Sequence, residues 1–188
     1  MKLLILDNYD SFTYNLVHLI EKVSNIEFDI KQNNKIELSA VSDYDKILLS
    51  PGPGLPKDAG LMIEVIKTYG HSKDILGVCL GLQGIGEAFG AKLKNIDPVC
   101  HGIATPINVI KDDPIFNNCP RTFTVGRYHS WVVDEKELPS ELSITAIDEN
   151  GFIMALKHRL YNIRGVQFHP ESILSNFGET ILSNWLEE

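Results

Sequence analysis

The sequence predicts an α/β fold: a mostly parallel central sheet with helices on both faces, and additional mixed or antiparallel strands appended to it. Three observations carry that prediction. In the first half, short runs are apolar throughout, as strands buried on both faces are. Each leads through turn residues into apolar positions at helical spacing, the βα alternation of a parallel sheet. After residue 107 the apolar runs crowd together with little room for helices between them.

The first strand is "KLLIL" (2–6), followed by Asp7, Asn8, Asp10 and Ser11, residues that form turns and cap helices. Phe12, Leu16, Leu19, Ile20 and Val23 then recur at helical spacing and give one buried stripe. "KILLS" (46–50) is the next clear strand and ends in the Pro/Gly cluster "PGPGLP". Met62, Val65, Ile66 and Tyr69 define a second helix, and "ILGVC" (75–79) a further strand that continues into a helix. "INVI", "TFTV", "SITAI", "FIMAL" and "IRGVQF", between 107 and 168, with an "NG" turn at 150–151, read as the appended strands. Leu174, Phe177, Ile181, Leu182 and Trp185 place a closing helix on the sheet. With no repeat, low-complexity segment or linker, residues 1–188 are expected to form a single domain, and 188 residues at 44% hydrophobic content suit one.

Charge and composition exclude several functions. Seventeen basic against 25 acidic side chains give a net charge of −8, the wrong sign for a chain that must neutralise phosphates, so neither nucleic acid nor an anionic membrane is expected as a partner. The apolar stretch before Asp7 is too short for a secretory signal of about 7–15 apolar residues, and no run approaches the ~20 needed to span a membrane. A cytoplasmic location is therefore expected. Cys79, Cys100 and Cys119 form no CxxC pair and cannot all pair with one another, which argues against a disulfide or zinc framework.

Gly77-Val78-Cys79-Leu80-Gly81 has the form G-x-nucleophile-x-G, in which small residues allow a sharp strand-to-helix turn that presents the nucleophile at the sheet edge. The positive end of the following helix favours a thiolate there. The Leu80 N–H becomes a donor for a developing oxyanion. Taken by itself this pentapeptide also fits an inert core cysteine. "GVQFHPES" (165–172) adds His169, a candidate base, and Glu171, a candidate acceptor that would fix its tautomer. Alone, these two also fit a strand cap and a helix-opening carboxylate. "LSPGPGLPKDAG" (49–60) lacks phosphate-loop spacing, and three of its residues are prolines without an N–H. It suits a rigid wall with one or two fixed N–H groups, from Gly52 and Gly54, or a simple tight turn.

Together with "DNYDSFTYNL" (7–16) and "YHS" (128–130), the stretches "SPGPG", "GVCLGLQ" and "GVQFHPES" stand in the order found in triad-type (class I) glutamine amidotransferases. The chain resembles that family over essentially its whole length, and within it the group of anthranilate synthase component II and para-aminobenzoate synthase component II. The resemblance implies Cys79 as nucleophile, His169 as general base and acid, and Glu171 as its orienting carboxylate. It implies an oxyanion hole from the N–H groups of Gly52 and Leu80. It also implies a pocket for the amino-acid end of glutamine from Gln83, the backbone at Ser130 and Trp131, and the Gly52-Pro53-Gly54 loop. No metal or cofactor is expected in this subunit. The implied partner is a chorismate-binding synthase subunit that itself uses Mg²⁺. The product is then anthranilate or 4-amino-4-deoxychorismate.

Two positions depart from the family pattern. Leu82 stands where relatives usually carry His, and Ile103 where "HGK" is common. Leu82 is expected to pack within the domain or against the synthase. His129 reads as structural or signalling rather than as a second base. A hydrolase built on the same elbow is the rival from another class. In the α/β-hydrolase order, however, the acid precedes the histidine, whereas Glu171 follows His169. A catalytically inactive binding subunit is disfavoured because all three triad residues are present.

Overall fold

The computed structural model describes residues 1–188. Four strands and three helices alternate through the first half: β1 (Lys2–Asp7), α1 (Thr13–Val23), β2 (Glu27–Gln32), β3 (Lys46–Leu49), α2 (Met62–Tyr69), β4 (Asp74–Val78) and α3 (Leu80–Ala88). Five strands and one helix follow: β5 (Leu93–Val109), β6 (Thr122–Val133), β7 (Leu142–Asp148), β8 (Ile153–His158), β9 (Ile163–Val166) and α4 (Gly178–Glu187). All nine strands form one sheet in the order β2-β1-β3-β4-β9-β8-β7-β5-β6. The first five run parallel, and from β9 onward each neighbour is antiparallel.

Strand alternation explains the two-sided core. Leu3, Ile5, Leu48, Leu76 and Val78 face Leu16, Val17 and Ile20 of α1 and Ile181, Leu182 and Trp185 of α4. Their neighbours Leu4, Leu6, Ile47, Leu49 and Ile75 face Met62, Val65 and Ile66 of α2 and Leu80, Leu82 and Ile85 of α3. Each such side chain stabilises the fold by roughly 1.5–3 kcal/mol on burial. The predicted α/β class is thus the observed one, helices on both faces included. None of the helices is long and apolar enough to cross a membrane.

Three expectations need correction. β2 was not anticipated: it is the sheet edge, and its charged residues interrupt any apolar run. β5 begins at Leu93 rather than Ile107, because most of its first part is exposed and correspondingly polar. The closing helix begins at Gly178, so Leu174 lies in the preceding turn and Phe177 is the cap.

Leu82 is fully buried. A Cβ added at Gly165 of β9 would come within 2.9 Å of the Leu82 Cβ. Of the two places expected for this side chain, it takes the one inside the chain, between α3 and β9. Ile103, by contrast, is 41% exposed, at an irregularity in the β5–β6 pairing.

Candidate active site

The site forms where the parallel sheet gives way to the antiparallel one. β4 and β9 are adjacent and parallel, so their carboxyl ends emerge side by side. Cys79 immediately follows β4 and opens α3, with φ 54° and ψ −100°, a left-handed conformation that an L-residue adopts only when its surroundings impose it. The two flanking glycines show how it is imposed. A Cβ at Gly77 would sit 2.4 Å from the Gly81 carbonyl carbon, and one at Gly81 would sit 2.5 Å from the Leu49 oxygen. Backbone packs on backbone, which only glycine permits. The elbow is pinned by Cys79 N donating to the Val166 oxygen at 2.8 Å and by Gln83 N donating to the Cys79 oxygen at 3.1 Å.

Three residues beyond β9, His169 is held from several sides. Its backbone N–H donates to the Gly126 oxygen at 3.0 Å, and Ser175 Oγ donates to its carbonyl at 2.6 Å. The rings of Phe12 and Tyr128 pack against the imidazole at centroid distances of 5.4 and 5.0 Å. Nδ1 meets Glu171 Oε1 at 2.7 Å, with the carboxylate side chain wholly buried. Nε2 has no hydrogen-bond partner of good geometry and stands close enough to Cys79 for the sulfur to act on it. Burial disfavours the imidazolium, but the Glu171 carboxylate bound to Nδ1 and the nearby Cys79 sulfur favour it more and raise His169 to about 10.

A titration follows His169 directly. In ¹⁵N NMR the ring is expected to keep its proton through neutral pH and release it near 10, and Cys79→Ser should lower that midpoint. A midpoint near histidine's ordinary ~6.5 in the wild type would contradict this environment. Because the folded value lies above the unfolded one, the stability this group contributes is fully present below about 6.5. It is lost as pH rises toward the folded value.

A cavity of about 200 Å³ opens beside the sulfur, lined by Cys79, Gln83, Gly52, Pro53, Gly54, Tyr128, His129, Ser130 and Trp131. It brings together every residue expected from the sequence at the glutamine pocket except Leu80, whose expected contribution is a backbone N–H and which stands in the first turn of α3. The 50–54 loop is fixed from below by Asn8, whose N–H donates to Ser50 Oγ at 2.9 Å and whose amide donates to the Ser50 oxygen at 2.7 Å. Gly52 lies so close that an added Cβ would be 2.6 Å from the Asn8 Cβ and 2.7 Å from Leu80 Cδ2. Its N–H has no acceptor within the chain.

Sequence reasoning read Asn8 only as a turn residue and Tyr128 only as part of the "YHS" motif, and assigned no role to Arg127, Asp148 or Gln167. Gln167 carried a signal, an amide inside the apolar run "IRGVQF". It is fully buried, and its amide nitrogen lies 3.5 Å from Cys79 Sγ. His129 is structural: burial first, then the Arg127 charge, lowers it to about 3, so it stays neutral.

A strained cysteine at a strand-to-helix elbow, a carboxylate-bound histidine and a small adjoining pocket meet at this end of the sheet, an arrangement suited to thiol chemistry. Residues 4–188 match the family model for class-I glutamine amidotransferases, and the chain belongs to that family. It is 42% identical over 188 residues to the anthranilate synthase component 2 of Cyanophora paradoxa, covering 98% of this chain and 97% of that one. It is 40% identical over 188 residues to the anthranilate synthase component 2 of Pyropia yezoensis, covering 98% of each. The fold matches the crystal structure of a glutamine amidotransferase from Thermotoga maritima with a TM-score of 0.82, at 16% identity, over 100% of this chain and 96% of the other.

Proposed function

We propose that this chain is the glutaminase subunit of anthranilate synthase, releasing ammonia from L-glutamine for a chorismate-binding synthase subunit. The observation that carries the chemistry is the 2.7 Å contact between His169 Nδ1 and a buried Glu171, which leaves Nε2 buried without a partner. Cys79 attacks the side-chain amide carbon of glutamine, and the oxygen, now anionic, accepts from the Gly52 and Leu80 N–H groups. One such donor can be worth roughly 10²–10³ in rate. His169 protonates the departing nitrogen, the C–N bond breaks, and a thioester and ammonia result. Water deprotonated by His169 then attacks the thioester and releases glutamate. Gln83 and the backbone at Ser130 and Trp131 hold the amino-acid end.

Cysteine, histidine and backbone amides suffice for this half-reaction, with no metal or organic cofactor. Mg²⁺ belongs to the partner synthase in this reading. Free ammonia in neutral water is mostly ammonium, which is not nucleophilic, so a closed path into the partner is physically sensible. Such a pair works in the cytoplasm. The two relatives named as component 2, at 40% and 42% identity over nearly full length, support the anthranilate assignment.

Mixing the chain with the synthase subunit from the same organism, chorismate, Mg²⁺ and glutamine tests it. Fluorescent anthranilate should accumulate in step with glutamate release. Accumulation of 4-amino-4-deoxychorismate instead would move the assignment to the para-aminobenzoate branch.

A further inference from the structure

We propose that Gln167 is a further catalytic residue, donating a hydrogen bond to the Cys79 sulfur, and that a buried chain of polar groups dictates which end of its amide faces the nucleophile. This rests on the glutaminase reading above for its catalytic meaning. The chain begins at Asp148, whose carboxylate binds Arg127 at 2.7 Å, both side chains almost wholly buried. Arg127 Nε donates to His129 Nε2 at 3.0 Å. The histidine's one proton must therefore lie on Nδ1, which donates to the Trp131 oxygen at 3.1 Å. Gln83 Nε2 donates to the same oxygen at 2.9 Å and to Gln167 Oε1 at 3.2 Å, using both its hydrogens.

That last bond decides the orientation of Gln167. Its oxygen is committed to Gln83, so its NH₂ points at Sγ, 3.5 Å away. The reversed amide would set two NH₂ groups against each other and an oxygen lone pair against the sulfur, which a buried site cannot tolerate. An N–H donor favours a sulfur that carries negative charge and holds it in position for attack. The ionisable groups facing this sulfur are His169, with Glu171 behind it, and the neutral His129 on β6. Gln167 itself carries no charge, so its contribution persists across the working pH range. Gln83 also lines the cavity, which places the group that contacts substrate and the group that contacts the nucleophile one hydrogen bond apart.

The test uses the full chain, alone and with its synthase. Gln167→Met keeps a similar volume without a donor, and Gln167→Glu keeps the shape with oxygen in place of nitrogen. Alkylation of Cys79 by iodoacetamide at neutral pH, located by mass spectrometry, should slow about tenfold or more in both. The kcat for glutamine hydrolysis should fall by a similar factor while KM moves only a few-fold, a split that general loosening of the fold would not give. Alkylation within twofold of wild type in a folded variant would overturn the proposal. Should neither variant fold, the wild type decides: methylthiolation of Cys79 must shift the Gln167 side-chain NH₂ resonance, and an unmoved resonance refutes the contact. Absence of glutaminase activity in the wild type, with and without synthase, would instead sink the functional reading and leave the alkylation result to judge Gln167.

Discussion

Cys79→Ser is expected to abolish product formation from glutamine in the reconstituted complex, by ~10³-fold or more, while product formation from added ammonium salt stays near the wild-type level. The asymmetry follows from the division of labour proposed for the two subunits, in which the thiol serves only to generate ammonia. A serine hydroxyl fits the same elbow, because the conformation at residue 79 is imposed by Gly77 packing on Gly81 and Gly81 on Leu49, not by the side chain. The variant should therefore fold and bind its partner. A thioester-forming nucleophile cannot be replaced by an unactivated hydroxyl at similar rate. Initial rates with each nitrogen donor, at saturating chorismate, make the comparison. Equal loss of both rates in a variant that still binds the synthase would show that Cys79 is not the nucleophile of a separate ammonia-generating reaction.

The largest stability effect is expected from Asp148→Ala. Arg127 and Asp148 are 4% and 1% exposed at the side chain, so removing the carboxylate strands a guanidinium in the interior. Breaking a buried pair from one side costs about 3–5 kcal/mol. Asp148 also accepts from the N–H groups of Asn150 at 2.9 Å and Phe152 at 2.8 Å, so the β7–β8 turn loses its internal brace as well. For a chain of this size the melting temperature should drop on the order of 10 °C. The double variant Arg127→Met with Asp148→Leu should recover much of the loss, because it leaves no unpaired charge. Thermal melts of the three proteins decide the matter. A single variant within a degree or two of wild type would mean that the guanidinium finds another partner or reaches water.

What the sequence disclosed and what it hid divide along physical lines. β1, β3 and β4 were legible because both their faces are buried and they therefore consist of almost unbroken apolar residues. β2 and the first half of β5 were not, because Glu27, Asp29, Lys31, Lys94, Asn95 and His101 meet solvent, and nothing local separates such a strand from a loop. At the site, Cys79, His169 and Glu171 could be named because their chemistry depends on residue type next to turn residues. Pro53, Gln83, Ser130 and Trp131 were named through family resemblance, and the structure brings them into one cavity. The connection of Asp148 to Gln167 through Arg127, His129 and Gln83 could not be read, although Gln83 and His129 were noted singly. Its members are spread over β6, β7, α3 and the segment after β9, and only the folded sheet makes them neighbours.

The pairing of β4 with β9 also sets a schedule for the chain as it is made. Residues 75–78 find their strand partner at 163–166, nearly ninety positions downstream. Synthesis runs from the amino end, so the ribosome delivers Gly52, Cys79 and Leu80 long before His169 and Glu171 exist. Until residues 163–169 emerge, β4 is an unpaired edge and the thiol has no histidine beside it. A chain stopped before residue 163 would carry the nucleophile and consume no glutamine. In the proposed mechanism, competence therefore waits on a pairing between segments far apart in the sequence, not on the elbow alone.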